Sequence, residues 1–249
     1  GIDKKMNGIF VGSQIHKDQL RQAGFEAPIY IVSLPYGKTI EDKKKDRTQL
    51  INNKKNQVIF VSRFDKEKNP LFMLKVAKEF LEKNTDWEWV ITTGANTIRS
   101  NDQFIIDSIT ELVKKQPRFK VITNITKEKY YDTLAESKLY FNSSLQDYVS
   151  WTVIESTHMK CLPVVPNFRS FTEIFSENFM YKPFEINSAL DLLEANKVYN
   201  YYPKELSLIP NLSELGLLIE GYIMYNDWKE NEFNIWLEKE YIQEKFKNL

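Results

Sequence analysis

The sequence predicts an α/β fold, a mainly parallel sheet covered by helices on both faces and continued by a helical C-terminal tail. Three observations carry this expectation. From residue 58 onward, short β-branched or aromatic runs alternate with stretches of helical periodicity. Capping residues or Gly mark several of the boundaries. After residue 185 the helical pattern continues with no clear strand.

Ile9–Val11 and Ile29–Val32 read as short strands around a helix near Lys17–Ala23, which Gly24 stops. Leu34-Pro-Tyr-Gly37 is turn chemistry. Residues 38–57 are polar and charged, with Lys43, Lys44 and Lys45 in a row, and read as a solvated loop. Val58–Ser62 is a strand. Asn69 and Pro70 supply the N-cap and first position of a helix in which Leu71, Leu74, Ala77 and Leu81 form an apolar stripe. Trp87–Thr92 is the next strand, ending at Gly94, and its Trp87 and Trp89 are core candidates before they are base-stacking platforms. Ile105–Lys115 is a helix and Phe119–Ile122 a strand. Thr126 can cap a helix over Lys127–Ser137, and Leu139–Phe141 is a strand. Val153–Met159 is a helix, Leu162–Val165 a strand, and residues 172–176 a short helix. Helical patterns recur at Ser188–Ala195, Glu214–Met224 and Phe233–Phe246, with Trp228, Trp236 and Tyr241 expected to pack the tail onto the sheet. The chain thus divides into 1–36, the end or remnant of a preceding domain; 37–57, a polar linker; 58–184, a Rossmann-like domain; and 185–249, a helical extension.

Composition narrows the function. Lys and Arg number 34 against 34 Asp and Glu, so broad attraction to nucleic acid or anionic membrane is not indicated. The basic runs Lys43–Lys45 and Lys54–Lys55 keep a nucleic-acid-modifying enzyme as an alternative. The single cysteine, Cys161, forbids an internal disulfide and fits a reducing, cytoplasmic setting. No apolar run reaches the ~20 residues of a membrane span. With one Cys and only His16 and His158, thiolates and imidazoles draw no zinc site. His158, in mid-helix, reads as a packed or surface residue. No P-loop motif is present.

Two loops concentrate chemistry. Val58-Ile-Phe-Val-Ser62 runs a hydrophobic strand into a loop holding Arg63 and Lys68, an Arg fork and a Lys point charge that can stabilise a leaving diphosphate. Asp147 and Glu155 flank a helix start near Ser150, where the amides of Ser150, Trp151 and Thr152 can meet an anion or hydroxyl. Glu155, in the second turn, can accept two hydroxyls of a ribose. Topology places the loops after parallel strands at one sheet edge, where such folds bind ligands, and so gathers Arg63, Lys68, Gly94, Asn124, Ser143, Ser144 and Asp147.

These segments resemble the C-terminal, donor-binding domain of GT-B fold glycosyltransferases, in particular the retaining Glu-x7-Glu group (glycosyl transferases group 1). The family's Gly-Arg-x4-Lys is similar to Ser62-Arg63-Phe-Asp-Lys-Glu-Lys68. Its Glu-x-Phe-Gly-x4-Glu resembles Asp147-Tyr-Val-Ser150-Trp-Thr-Val-Ile-Glu155, and its Gly-Cys-x-Pro-Val-Val resembles Lys160-Cys-Leu-Pro-Val-Val165. Glu173-Ile174, Val11-Gly-Ser13 and Leu34–Gly37 extend the likeness, which covers roughly residues 8–180.

The resemblance implies a metal-independent transferase with no cofactor beyond a nucleotide-diphosphate sugar as donor. A hexose-like sugar would pass to an acceptor hydroxyl with retention. It implies that Arg63 and Lys68 hold the diphosphate, Asp147 the transferred sugar and Glu155 the ribose. The amides of Ser150, Trp151 and Thr152 would meet sugar or phosphate, backbone at Asn124 and Ile125 would read the base, and Gly94 would let the chain pass close to the nucleotide. Asp147 is one methylene shorter than the family's Glu, and Ser62, Ser150 and Lys160 replace glycines. The acceptor is not named, and the acceptor-binding N-terminal domain is expected to be separate or missing. A non-catalytic nucleotide- or sugar-binding module of the same ancestry is the alternative from another class.

Overall fold

The computed structural model describes residues 5–31, 38–147 and 150–198, which divide between Lys38 and Thr39 into two compact units. The turn expected at Leu34–Gly37 and the tail patterns at Glu214–Met224 and Phe233–Phe246, with Trp228, Trp236 and Tyr241, lie outside the described residues.

In the first unit, β1 (Ile9–Val11), α1 (Gln14–Gln22) and β2 (Ile29–Ile31) form a crossover whose strands pair in parallel, Ile9 opposite Ile29. Ser13 caps α1 by accepting the His16 amide. Past the helix Gly24 takes φ 85°, a left-handed conformation that glycine adopts without steric cost. Arg21 then donates to the carbonyls of Phe25 and Ala27 at 2.6 and 2.8 Å, which folds the connection back on the helix.

From Thr39 onward α2 (Lys38–Lys45) belongs to the second unit, and α3 (Thr48–Asn52) follows it. The unit then alternates β3 (Lys55–Phe60), α4 (Pro70–Lys83), β4 (Glu88–Thr92), α5 (Gln103–Lys115), β5 (Phe119–Ile122), α6 (Lys127–Glu136), β6 (Ser137–Phe141), α7 (Trp151–His158) and β7 (Leu162–Pro166). α8 (Phe171–Ile174), β8 (Met180–Tyr181) and α9 (Ile186–Lys197) follow. All strand pairs are parallel, in the order β5-β4-β3-β6-β7-β8. The chain builds outward from β3 through β5, then returns to lay β6 against the other side of β3. That reversal is the switch point of a Rossmann-type sheet, where the loops after two adjacent strands diverge and leave a crevice.

The central strands read as unbroken apolar runs because both faces are covered: α4, α5 and α9 pack together, as do α3, α6 and α7. Val58, Ile59, Phe60, Leu139, Tyr140 and Phe141 are all buried. Trp87 and Trp89 are core residues, as expected, with Phe80 edge-on to them at 5.5 and 6.1 Å. Phe72, Tyr181 and Phe141 stack in series at 5.7 and 5.5 Å, and the Tyr181 hydroxyl donates to the Asn142 carbonyl. That stack holds β8, a strand too short to leave a period in the sequence.

The structure corrects the reading of 38–57 as a loop. The segment is helical over most of its length and feeds directly into β3. Its charges have partners far along the chain. Arg47, nearly buried, pairs with Glu128 at 2.8 Å and Asp132 at 2.9 Å on α6, and Lys43 reaches Glu128 at 2.5 Å. Asn69 sits at the N-terminus of α4, but its side chain makes no capping bond. It serves instead at φ 48°, a left-handed conformation Asn tolerates, where the chain turns from a single 3-10 turn at Lys66–Lys68 into α4. Thr126 caps α6 as expected, accepting the Lys129 amide at 3.2 Å.

Candidate functional site

At the carboxyl edge of the sheet lies a crevice of about 710 Å³, walled by the loops after β3, β4 and β5, by the first turn of α6 and by the first two turns of α7. Among the residues anticipated from sequence, Arg63, Gly94, Ile125, Thr152 and Glu155 line it. Lys68, Asn124, Asp147, Ser150 and Trp151 are not in its wall.

The two chemistry-bearing loops do converge. Lys68 donates to Asp147 at 2.6 Å, to Ser144 Oγ at 3.2 Å and to the Gln146 carbonyl at 3.1 Å. The Leu145 amide donates to the Glu67 carbonyl at 2.8 Å and Ser143 Oγ to the Lys68 carbonyl at 2.8 Å. The loop after β6 is therefore stitched along the loop after β3, with the Lys68–Asp147 pair at the seam. Arg63 keeps its side chain 69% exposed and is forked between Asp65 at 2.6 Å and Glu67 at 2.7 Å.

Glu155 is buried on α7 and holds three donors. Tyr131 and Lys127 donate to Oε1 at 2.9 and 2.8 Å, and Tyr130 donates to Oε2 at 2.6 Å. Burial, reinforced by the Glu155 charge, raises both tyrosines above the usual phenol range, so both remain protonated donors at neutral pH. The Lys127 ammonium also lies 4.6 and 4.7 Å from the centroids of the two tyrosine rings. Sequence reasoning missed this trio. The signal available was a capped helix carrying Lys127 and, one turn on, two adjacent tyrosines. It also missed Arg99, an exposed cation that lines the crevice from the β4–α5 loop.

At the start of α7, Ser150 is extended and its side chain makes no capping bond; its Oγ lies 3.1 Å from Thr152 Oγ1. Thr152 turns its hydroxyl inward, 2.7 Å from the Tyr140 hydroxyl and 3.2 Å from the Val61 carbonyl. Trp151 is 47% exposed. The β4 and β5 loops are zipped by the Asn124 amide to Ala95 at 2.8 Å and the Ile125 amide to Thr93 at 3.2 Å, with Asn124 left-handed at φ 52°. A Cβ on Gly94 would meet only the Ile125 carbonyl, at 4.0 Å, so protein packing does not demand glycine there. His158 is buried on α7 and does not line the crevice; burial pushes it down to about 3. Among the described residues no three His, Cys, Asp or Glu side chains are grouped to hold a metal ion, and no helix is long and apolar enough to cross a membrane.

The family described as "Glycosyl transferases group 1" matches residues 41–198, more than half of the chain. The chain belongs to that family. Solved glycosyltransferases and related enzymes share the fold of this group 1 chain. A point mutant of TarM from S. aureus, in complex with fondaparinux, alpha-GlcNAc-glycerol and UDP, superposes with a TM-score of 0.62 at 14% identity, covering 99% of this chain and 44% of that one. Sucrose-phosphate synthase from Thermosynechococcus elongatus gives 0.64 at 13% identity over 87% of this chain and 57% of its own. HepE of Anabaena, in complex with UDP and glucose, gives 0.59 at 14% identity over 98% and 63%. The group 1 chain therefore spans about half the length of these structures. No curated protein sequence matches it significantly.

Proposed function

We propose that the chain is the donor-binding part of a retaining glycosyltransferase that takes a hexose-like sugar from a nucleotide-diphosphate sugar, in the cytoplasm and without a metal. The observation that carries this reading is the switch-point crevice, which sets the cation Arg63 and the carboxylate Glu155 in the walls of one cavity. Glycosyl transfer breaks the bond from the sugar's anomeric carbon to the diphosphate oxygen. A bond forms from the acceptor oxygen to the same carbon on the same face, and the acceptor proton passes to the departing diphosphate. Arg63 and Lys68 would stabilise the charge growing on that diphosphate, Asp147 would accept hydroxyls of the sugar and Glu155 those of the ribose. The backbone around Ile125 and Gly94 is placed to meet the base, and the amides of Ser150, Trp151 and Thr152 the sugar or phosphate. The acceptor would bind to residues beyond this unit. The solved TarM and HepE complexes with UDP support a uridine nucleotide as first choice.

One observation favours a binding module without transfer. Both cations already face acids within the protein, Lys68 with Asp147 and Arg63 with Asp65 and Glu67. Calorimetric titration with UDP, GDP, ADP and their glucose conjugates, followed by product analysis with simple glycoside acceptors, separates the two. Micromolar-to-millimolar binding with donor hydrolysis or transfer supports the enzyme, binding with neither supports the module, and no binding rejects both.

A further inference from the structure

The Glu155 carboxylate offers roughly four lone-pair directions. Three are taken, two by tyrosine hydroxyls and one by the Lys127 ammonium. The partners differ in permanence. Tyr130 and Tyr131 are 6% and 4% exposed and locked in α6, whereas the Lys127 side chain is 62% exposed. Because Tyr131 and Lys127 both occupy Oε1, one direction stays open on Oε2, and Oε1 gains one only when Lys127 leaves. A ligand presenting a single hydroxyl can use the open Oε2 direction with Lys127 in place. A ligand presenting two neighbouring hydroxyls needs both oxygens and must displace the ammonium. The displaced cation has somewhere to stay, over the faces of Tyr130 and Tyr131.

We propose that Lys127 is an exchangeable occupant of the Glu155 carboxylate, that Tyr130 and Tyr131 are positioning residues which hold that carboxylate facing the crevice, and that the trio tunes recognition of a vicinal diol. The inference rests on the reading of the crevice as a nucleotide-sugar site and names the groups that set its preference for ribose. In the wild-type chain a diol gains two contacts and forfeits the Lys127 one. The advantage of a ribonucleotide over its 2′-deoxy analogue is correspondingly muted. With Lys127 replaced by Met, the diol gains both contacts at no loss, while the deoxy ligand gains one as before.

The test compares UDP with 2′-deoxy-UDP (or the base preferred in the panel above) by calorimetry, in wild type, Lys127→Met, and Tyr130→Phe/Tyr131→Phe. Loss of a crevice cation weakens both ligands alike, so the ratio of their affinities is the readout. Lys127→Met is expected to raise the ribo-to-deoxy ratio three- to tenfold. The double Phe variant is expected to bring the ratio close to one, because the carboxylate loses its orientation while the diphosphate contacts remain. An unchanged or smaller ratio in Lys127→Met overturns the exchange, as does a double Phe variant that is folded and discriminates like wild type. Either result leaves the crevice assignment standing so long as wild type binds the nucleotide. Absence of any nucleotide binding overturns both readings together. Lys127 is exposed, so its variant folds whatever the fate of the tyrosine pair.

Discussion

Lys68 donates to Asp147 across 2.6 Å, joining two loops that lie 79 residues apart in the chain. Their side chains are only 11% and 15% exposed, so solvent screens the pair weakly. The ammonium proposed to meet a diphosphate is therefore neutralised by the carboxylate proposed to meet the sugar. Asp147→Asn keeps the shape and removes the charge. It is expected to strengthen binding of a free nucleoside diphosphate by at least about 1 kcal/mol, the value of one charge–charge contact at the dielectric of water, while abolishing transfer. Lys68→Met is expected to weaken binding, and to cost roughly 2 kcal/mol in a urea melt because the Asp147 carboxylate is left behind without its cation. Equal losses of affinity in the two variants would show that the pair does not compete with the ligand.

Arg63 presents the opposite balance. Its guanidinium is forked between Asp65 and Glu67 but largely in solvent, where ion pairs contribute little to stability. Arg63→Ala should leave the unfolding free energy within about 0.5 kcal/mol of wild type. Affinity for a nucleoside diphosphate should fall by roughly 1.5–3 kcal/mol, the value of a charge-assisted contact. Unchanged affinity in calorimetry would remove Arg63 from the diphosphate site.

The alternation of strands and helices after residue 58 was legible because each central strand is buried on both faces and each main helix has an apolar stripe. The convergence of the Arg63–Lys68 and Asp147–Glu155 segments was legible from parallel topology alone. What the sequence hid depends on partners distant along the chain. The helices over 38–52 have no apolar stripe to announce them; Arg47 and Lys43 form their ion pairs with α6, more than eighty residues on. The occupancy of Glu155 was equally hidden, since nothing local in Tyr130-Tyr131 tells which face of α6 will meet α7. Arg99 sits on a loop without a period, tied to the β3 side of the crevice by the Ser100 hydroxyl, which donates to the Phe64 carbonyl at 2.7 Å, and by the Lys66–Asp102 ion pair at 3.1 Å.

Lys54 gives a prediction about the scaffold behind the site. Its ammonium donates to the carbonyls of Ala135, Ser137 and Met159 at 2.9, 2.8 and 2.8 Å, closing the C-terminal ends of both α6 and α7. Burial lowers its pKa, yet the three acceptors and the two helix ends keep the cation in place. Lys54→Met retains the stem and strips those carbonyls of their donor. A loss of about 2–3 kcal/mol in unfolding free energy is expected, the penalty for leaving buried acceptors unsatisfied. Lys54→Arg should recover only part of it, because a planar fork cannot reach three carbonyls arranged around a point. A Met variant as stable as wild type would show that water satisfies the two helix ends.

His158 makes stability depend on pH in a definite direction. Burial, with a smaller contribution from the Lys44 charge, pushes its imidazole down to about 3 from an ordinary value of 6.5. Between those values the unfolded chain takes up a proton that the folded chain refuses. The folded state is therefore favoured in full above about pH 6.5 and loses up to ~1.4 kcal/mol for each unit as pH falls toward 3. Carboxylates titrate in the same window, so the quantity to follow is the difference between wild type and His158→Gln. Gln carries no titrating proton, and other groups cancel in the subtraction. Urea melts at pH 7 and pH 4.5 should show wild type losing about 2.5 kcal/mol more than the variant, as two units at that slope require. Parallel losses would mean that the imidazole can be protonated in the folded chain.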